Sequence, residues 1–76
     1  MTSLAELAVG ARARVANIRG VDEVAVRLME MGLTAGVEVR LVGKAPLGDP
    51  LEFEVRGYRL SIRKNEAGRV ETEAIN

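Results

Sequence analysis

The chain has 76 residues, 47% of them apolar and only 3% aromatic, and its 11 basic side chains balance 11 acidic ones. That is enough for one domain around one aliphatic core, near the lower size limit at which a core holds without disulfides or a structural metal. A net charge of zero excludes the basic surplus on which nucleic-acid affinity rests, and the absence of cysteine and histidine excludes disulfides, the usual zinc, copper and haem ligand sets, and triads built on histidine.

Ser3-Leu4-Ala5-Glu6 is a capping-box pattern that predicts a short N-terminal helix, with Leu4 and Leu7 on its apolar side and Gly10 ending it. Met1 to Gly10 lacks the basic head and long apolar run of a signal peptide. No apolar run anywhere approaches the roughly 18 residues that cross a bilayer. The expected compartment is the cytoplasm, with any membrane reached through a partner. Ala11 to Val15 alternates small apolar with basic residues, a strand with Ala13 and Val15 inward. The phase slips at Ala16-Asn17-Ile18, which predicts a bulge, and Gly20 breaks the strand.

Asp22 is placed to cap a helix on which Val21, Val24, Ala25, Leu28 and Met29 share the core face. Glu23, Arg27 and Glu30 take the other face, Met31 lies at the border and Val26 falls on the polar side. Gly32 stands where a left-handed residue closes a Schellman motif and folds Leu33 back onto Leu28; Thr34-Ala35-Gly36 then turns the chain into a strand.

Val37 to Leu41 alternates without fault, and a loop dense in breakers runs from Gly43 to Pro50. Leu51, Phe53 and Val55 form the inner face of the next strand. With Arg56-Gly57 as a two-residue hairpin turn, Val55 opposes Tyr58, Phe53 opposes Leu60 and Leu51 opposes Ile62. The same register sets Glu54 opposite Arg59 as an ion pair, and with so few aromatics the core is expected to gather Val, Leu, Ile and Ala around Phe53 and Tyr58. Lys64 to Gly68 has the length of one helical turn, leading into a last strand, Val70 to Ala74. No repeat, linker or low-complexity segment divides residues 1–76. The pattern is mainly β: a small, partly open barrel of about five strands with one inserted α-helix and a short N-terminal helix. A ferredoxin-like sheet needs two crossover helices, and only one segment is long enough.

Several fragments, in order, resemble the FeoA family over essentially the whole chain. They are Leu4-Ala5-Glu6-Leu7 with Gly10, Arg27-Leu28-Met29-Glu30-Met31-Gly32-Leu33 with Gly36, and Pro46-Leu47-Gly48-Asp49-Pro50, followed by Val55-Arg56-Gly57 and Leu60-Ser61-Ile62-Arg63 with Glu66-Ala67. The resemblance implies an SH3-like barrel in the cytoplasm that serves bacterial ferrous iron uptake by acting on FeoB, a membrane permease with a cytosolic GTP-binding domain. It also implies kinship with the SH3-like C-terminal domain of DtxR-type metal-dependent repressors, and family-level transition-metal binding. The residues themselves offer only carboxylates as strong ligands, a poor set for selecting ferrous iron. Glu52, Glu54, Glu71 and Glu73 alternate as wet strand faces do. No metal site and no cofactor is therefore expected, and weak binding of Fe2+ or another divalent ion stays open.

Three features are candidates for partner binding. Pro46, Leu47 and Asp49 present an apolar residue between breakers on a loop. Val26, Arg27 and Met31 edge the main helix. Arg12, Arg14, Arg59 and Arg63 form an outer face able to meet an acidic partner or a phosphate, or simply to pair with glutamates. Gly32, Leu33, Gly36 and Gly57 are assigned to structural turns. No phosphate-cradling loop is present, and no hydroxyl has a base at hand, so no catalytic residue is assigned. The expectation is a non-enzymatic partner of a FeoB-type permease. The alternative is a stand-alone relative of the repressor domain that modulates a regulator without binding DNA, and open strand edges allow weak self-association.

Overall fold

Alternation of inward aliphatic and outward charged residues produces one antiparallel sheet in the computed structural model, which describes residues 2–75. Met1 and Asn76, the ends of the expected domain, lie outside the described residues. Six strands are present among these: β1 (Thr2–Ser3), β2 (Arg12–Ile18), β3 (Glu38–Lys44), β4 (Leu51–Val55), β5 (Tyr58–Ile62) and β6 (Val70–Ala74). Their order is β1-β6-β2-β3-β4-β5, with every neighbouring pair antiparallel. The expected count was about five. The additional strand is β1, which pairs Thr2 with Thr72 and Ser3 with Glu71, and two residues are too few to show a period. The segment after it is also shorter than expected, a 3-10 turn over Leu4–Glu6. The Glu6 carboxylate accepts from both the N–H and the hydroxyl of Ser3 (3.1 and 3.2 Å). Gly10 does not end this turn; it lies in the following bend and donates its N–H to Leu41 O (2.7 Å).

The hairpin has the expected register: Val55 opposite Tyr58, Phe53 opposite Leu60, Leu51 opposite Ile62. Arg56 and Gly57 both take positive φ, +50° and +86°, as the two-residue turn that matches strand twist requires. The bulge of β2 falls between Val15 and Asn17. A second, between Leu41 and Gly43 of β3, is signalled only by a glycine inside a strand.

Phe53 is fully buried among Leu4, Leu28, Leu33, Leu41 and Leu51. Tyr58 does not share that core: it is 41% exposed, standing on the end strand of the sheet with its hydroxyl donated to Met31 O while its cross-strand partner Val55 stays buried. The ion pair expected between Glu54 and Arg59 is also redirected. Glu54 has a second cross-strand neighbour, Arg40 on β3, and binds it at 3.2 Å.

The main helix, α1 (Glu23–Glu30), begins at Asp22, whose Oδ1 accepts from the Ala25 N–H (3.2 Å). Ala25 and Leu28 are buried and Val24 packs beside them. Val21 and Met29, expected on the same face, are 100% and 45% exposed. Val21 precedes the cap and so has no helical face, and Met29 lies at the border of the buried stripe. The stop is a Schellman closure: Leu33 N–H donates to Leu28 O (3.2 Å) and Gly32 N–H to Met29 O (3.0 Å), with Gly32 at φ +103°. Beside it the Tyr58 hydroxyl donates to Met31 O, and a Cβ on Gly32 would overlap the Tyr58 oxygen.

A single helical turn, α2 (Lys64–Ala67), completes the fold. Three polar contacts hold α1 across the sheet's open side. Arg69, just before β6, binds its N-cap Asp22; Glu66 on α2 binds Arg27; Tyr58 on β5 binds its C-terminus.

Two results are expected from this geometry. Gly32→Ala should lower stability by about 2 kcal/mol, from left-handed strain plus displacement of Tyr58, while Gly36→Ala, where a Cβ meets nothing, should cost about 1 kcal/mol. In a Tyr58→Phe background the excess at Gly32 should vanish in urea melts. The Asp22 carboxyl is held below its ordinary value, first by the hydrogen bonds from Arg69 and then by the Ala25 N–H. A carboxyl acidified by folding adds stability above its unfolded titration range that is lost as pH falls through its folded one. The native chain should therefore lose stability below about pH 4 more steeply than Asp22→Asn; parallel pH profiles would contradict this role.

Candidate functional site

The chain's exposed chemistry lies on a loop, on one helix face and along one sheet edge. The loop between β3 and β4 is closed on itself, with Ala45 N–H donating to Pro50 O (3.0 Å) and Gly48 N–H to Ala45 O (2.7 Å). Its tip carries Leu47, 97% exposed. Pro46 is exposed beside it. Asp49 plays another part: its Oδ1 accepts from the Lys64 N–H (2.9 Å), satisfying a free donor of the first turn of α2. The loop is thereby tied to the far end of β5.

The helix candidates separate. Val26 is 47% exposed, but Met31 packs against the core. Arg27 is taken by Glu66 at 2.5 Å, whose hydrogen bond and charge hold the guanidinium still more firmly protonated. Exposed Met29 joins Val26 as the apolar surface of α1, and wheel reasoning had assigned Met29 to the core. Beside it, Met29, Leu33, Val15 and Ile18 line a shallow hollow of about 240 Å3 between the β2 bulge and the helix end.

The outer sheet face is a charge lattice. Arg12 binds Glu38 (3.0 Å) and Arg40 binds Glu54 (3.2 Å) along an open groove of about 480 Å3. Arg14, Arg59 and Arg63 are exposed and have no carboxylate partner among the described residues. Of the other glutamates, Glu71 accepts from the Asn17 amide (3.1 Å). No three Asp or Glu side chains converge among the described residues. With thiol and imidazole missing as well, this donor set does not fit a resident transition metal. Gly32, Gly36 and Gly57 each take positive φ, and Gly36 donates its N–H to Val15 O (2.8 Å). No helix among the described residues is long and apolar enough to cross a membrane.

A six-stranded antiparallel sheet curled around one aliphatic core, with a helix across its open side, defines the SH3-like class of small barrels. The FeoA domain profile matches residues 2–74, and the chain belongs to the FeoA family, a family of ferrous iron transport. It is 33% identical over 73 residues to the Fe(2+) transport protein A/Fe(2+) transporter FeoB fusion protein of Porphyromonas gingivalis, covering 96% of this chain and 9% of that protein. Among solved structures, the FeoA-like protein of Clostridium acetobutylicum matches with a TM-score of 0.91 and 36% identity, over 99% of this chain and 87% of that one. The zinc complex of Stenotrophomonas maltophilia FeoA, described as a procaryotic SH3 domain protein, matches at 0.85 and 36% identity, over 96% and 91%. A manganese-dependent transcriptional repressor shares the fold alone (TM-score 0.84, 12% identity, 96% of this chain and 41% of that one).

The loop separates two roles that adjoin in sequence. Leu47→Ser should leave stability within about 0.5 kcal/mol of native, whereas Asp49→Ala should lower it by about 1 kcal/mol through the lost cap. Chemical denaturation of the two variants checks both.

Proposed function

We propose that the chain is a non-enzymatic accessory protein of ferrous iron transport, acting in the cytoplasm by docking on the cytosolic part of a FeoB-type permease. The observation that carries this reading is the Porphyromonas gingivalis relative, in which a domain 33% identical to this chain is joined covalently to the FeoB transporter. Covalent fusion replaces an encounter in solution with a high effective concentration, which is useful where two domains work in contact. The chain's own chemistry agrees. Its hydroxyl–carboxylate pair, Ser3 with Glu6, is engaged as the capping box of a 3-10 turn, and no phosphate-binding loop is present in the sequence, so in this reading GTP chemistry belongs to the partner and iron is cargo. What it presents is apolar surface on a rigid frame, Leu47 foremost, with Pro46, Val26 and Met29. Apolar anchors of this kind fill partner pockets.

Titration of the labelled chain with the permease's cytosolic domain, in its nucleotide-free, GDP-bound and GTP-analogue-bound states, tests the proposal. Saturable binding on the order of micromolar is expected in at least one state, weakened about tenfold or more by Leu47→Glu. Absence of binding in all three states would overturn it.

A further inference from the structure

One end of the sheet is the outer edge of β5, which no other strand covers among the described residues. In a two-residue hairpin the residues flanking the turn form a hydrogen-bonded pair, and bonding alternates from there. With Val55 opposite Tyr58 and Phe53 opposite Leu60, the backbone groups of Tyr58, Leu60 and Ile62 turn toward β4, and those of Arg59 and Ser61 turn away. Strand β5 ends the sheet. Among the described residues no backbone hydrogen bond from any other segment reaches it. It has no proline, no bulge and no inward charge to blunt it; what guards it against indiscriminate pairing is charge alone.

What flanks this edge is cationic. Arg56, Arg59, Arg63 and Lys64 are all exposed, and none has a carboxylate partner among the described residues. The carboxylates facing them are Glu52 and Glu54 on β4, and Glu54 is already held by Arg40. The paired arginines of the chain lie elsewhere, and apart from Arg14 on β2 and Lys44 on β3 the unpaired positive charge among the described residues gathers on β5 and its ends.

This charge selects the occupant. A second copy pairing antiparallel about Leu60 would set Arg59 and Arg63 of one copy diagonally against those of the other, and cross-strand like charges disfavour pairing. An incoming strand with carboxylates at alternate positions meets the same arginines favourably, while its backbone takes the free groups of Arg59 and Ser61. We propose that the β5 edge is a docking site for an extended, acidic segment of a partner protein, added as a seventh strand. The inference rests on the reading of the chain as a docking module and names the surface and chemistry of the contact.

The probe is a short synthetic peptide alternating glutamate with valine, with a lysine-for-glutamate counterpart, titrated into the full labelled chain. The glutamate peptide should shift the Arg59 and Ser61 amide signals and slow their hydrogen exchange about tenfold or more, an effect weakened by salt. The double substitution Arg59→Glu, Arg63→Glu should cut its affinity about tenfold or more and reverse the preference toward the lysine peptide. Arg59→Gln with Arg63→Gln gives the same test without reversal. An unprotected Ser61 amide, equal binding of both peptides, or concentration-dependent protection without peptide (a second copy on the edge) would each overturn the inference. The permease domain separates the two proposals: binding that leaves Arg59 to Ile62 unperturbed defeats the edge site alone. Edge binding of the peptide with no permease binding defeats the permease reading alone.

Discussion

The approach of the helix end to the start of the hairpin governs this small fold. At Gly32 the backbone turns left-handed, and the space a side chain would need is filled by the Tyr58 hydroxyl, which itself holds the last helical carbonyl region through Met31 O. One residue thus satisfies two demands, a conformation that L side chains resist and a contact with no room for Cβ. From that point Leu33 returns to the core, Gly36 joins Val15, and β3 begins in the phase that points Val37, Val39 and Leu41 inward. A shift there would turn the strand over, since its side chains alternate every residue.

Fixing the helix this way also completes the barrel. The sheet's two end strands do not pair with each other, so the apolar interior is sealed by α1, with Ala25, Leu28 and Leu33 beneath it. Its polar ties reach segments far apart in sequence: Arg69, Glu66 and Tyr58. Each is partly exposed and individually modest. Spread from cap to terminus, they fix the position of α1, and burial of the leucines supplies most of the stabilisation.

Much of this was legible in the residue order because the signals agreed across levels. Five residues inward-outward on each side of a two-residue turn allow one register only, and the Leu28-Gly32-Leu33 spacing is a helix terminus in any context. What escaped had local causes. Val21 looked helical on a wheel, yet the cap at Asp22 starts the helix after it. Met29 lies a few tens of degrees from Leu28's stripe, too fine a difference for periodicity. Glu54 has partners on two strands, and only the β3 pairing, invisible to a hairpin argument, decides between them. The two-residue β1 has no pattern at all; it exists because β6 offers an edge.

The candidate surface was legible in part. Leu47 was singled out by its breakers, and it stands in water. Arg27 and Met31 were named for their position on the helix edge, but long-range contacts with Glu66 and with the core engage both. The gathering of Arg56, Arg59, Arg63 and Lys64 along one edge follows from which glutamates the other arginines take, a property of the assembled sheet and not of any stretch of chain.

The Asp49 to Lys64 hydrogen bond bears on how the loop responds to touch. A leucine on a floppy loop would have to surrender its freedom at the moment of contact, which weakens association by a large part of what the contact gains. Here the clasp to α2 and the internal hydrogen bonds of the loop have already removed that freedom when the chain folds. Leu47 therefore projects from a loop whose ends are already held when the chain folds, by the same carboxylate that steadies the helical turn behind it.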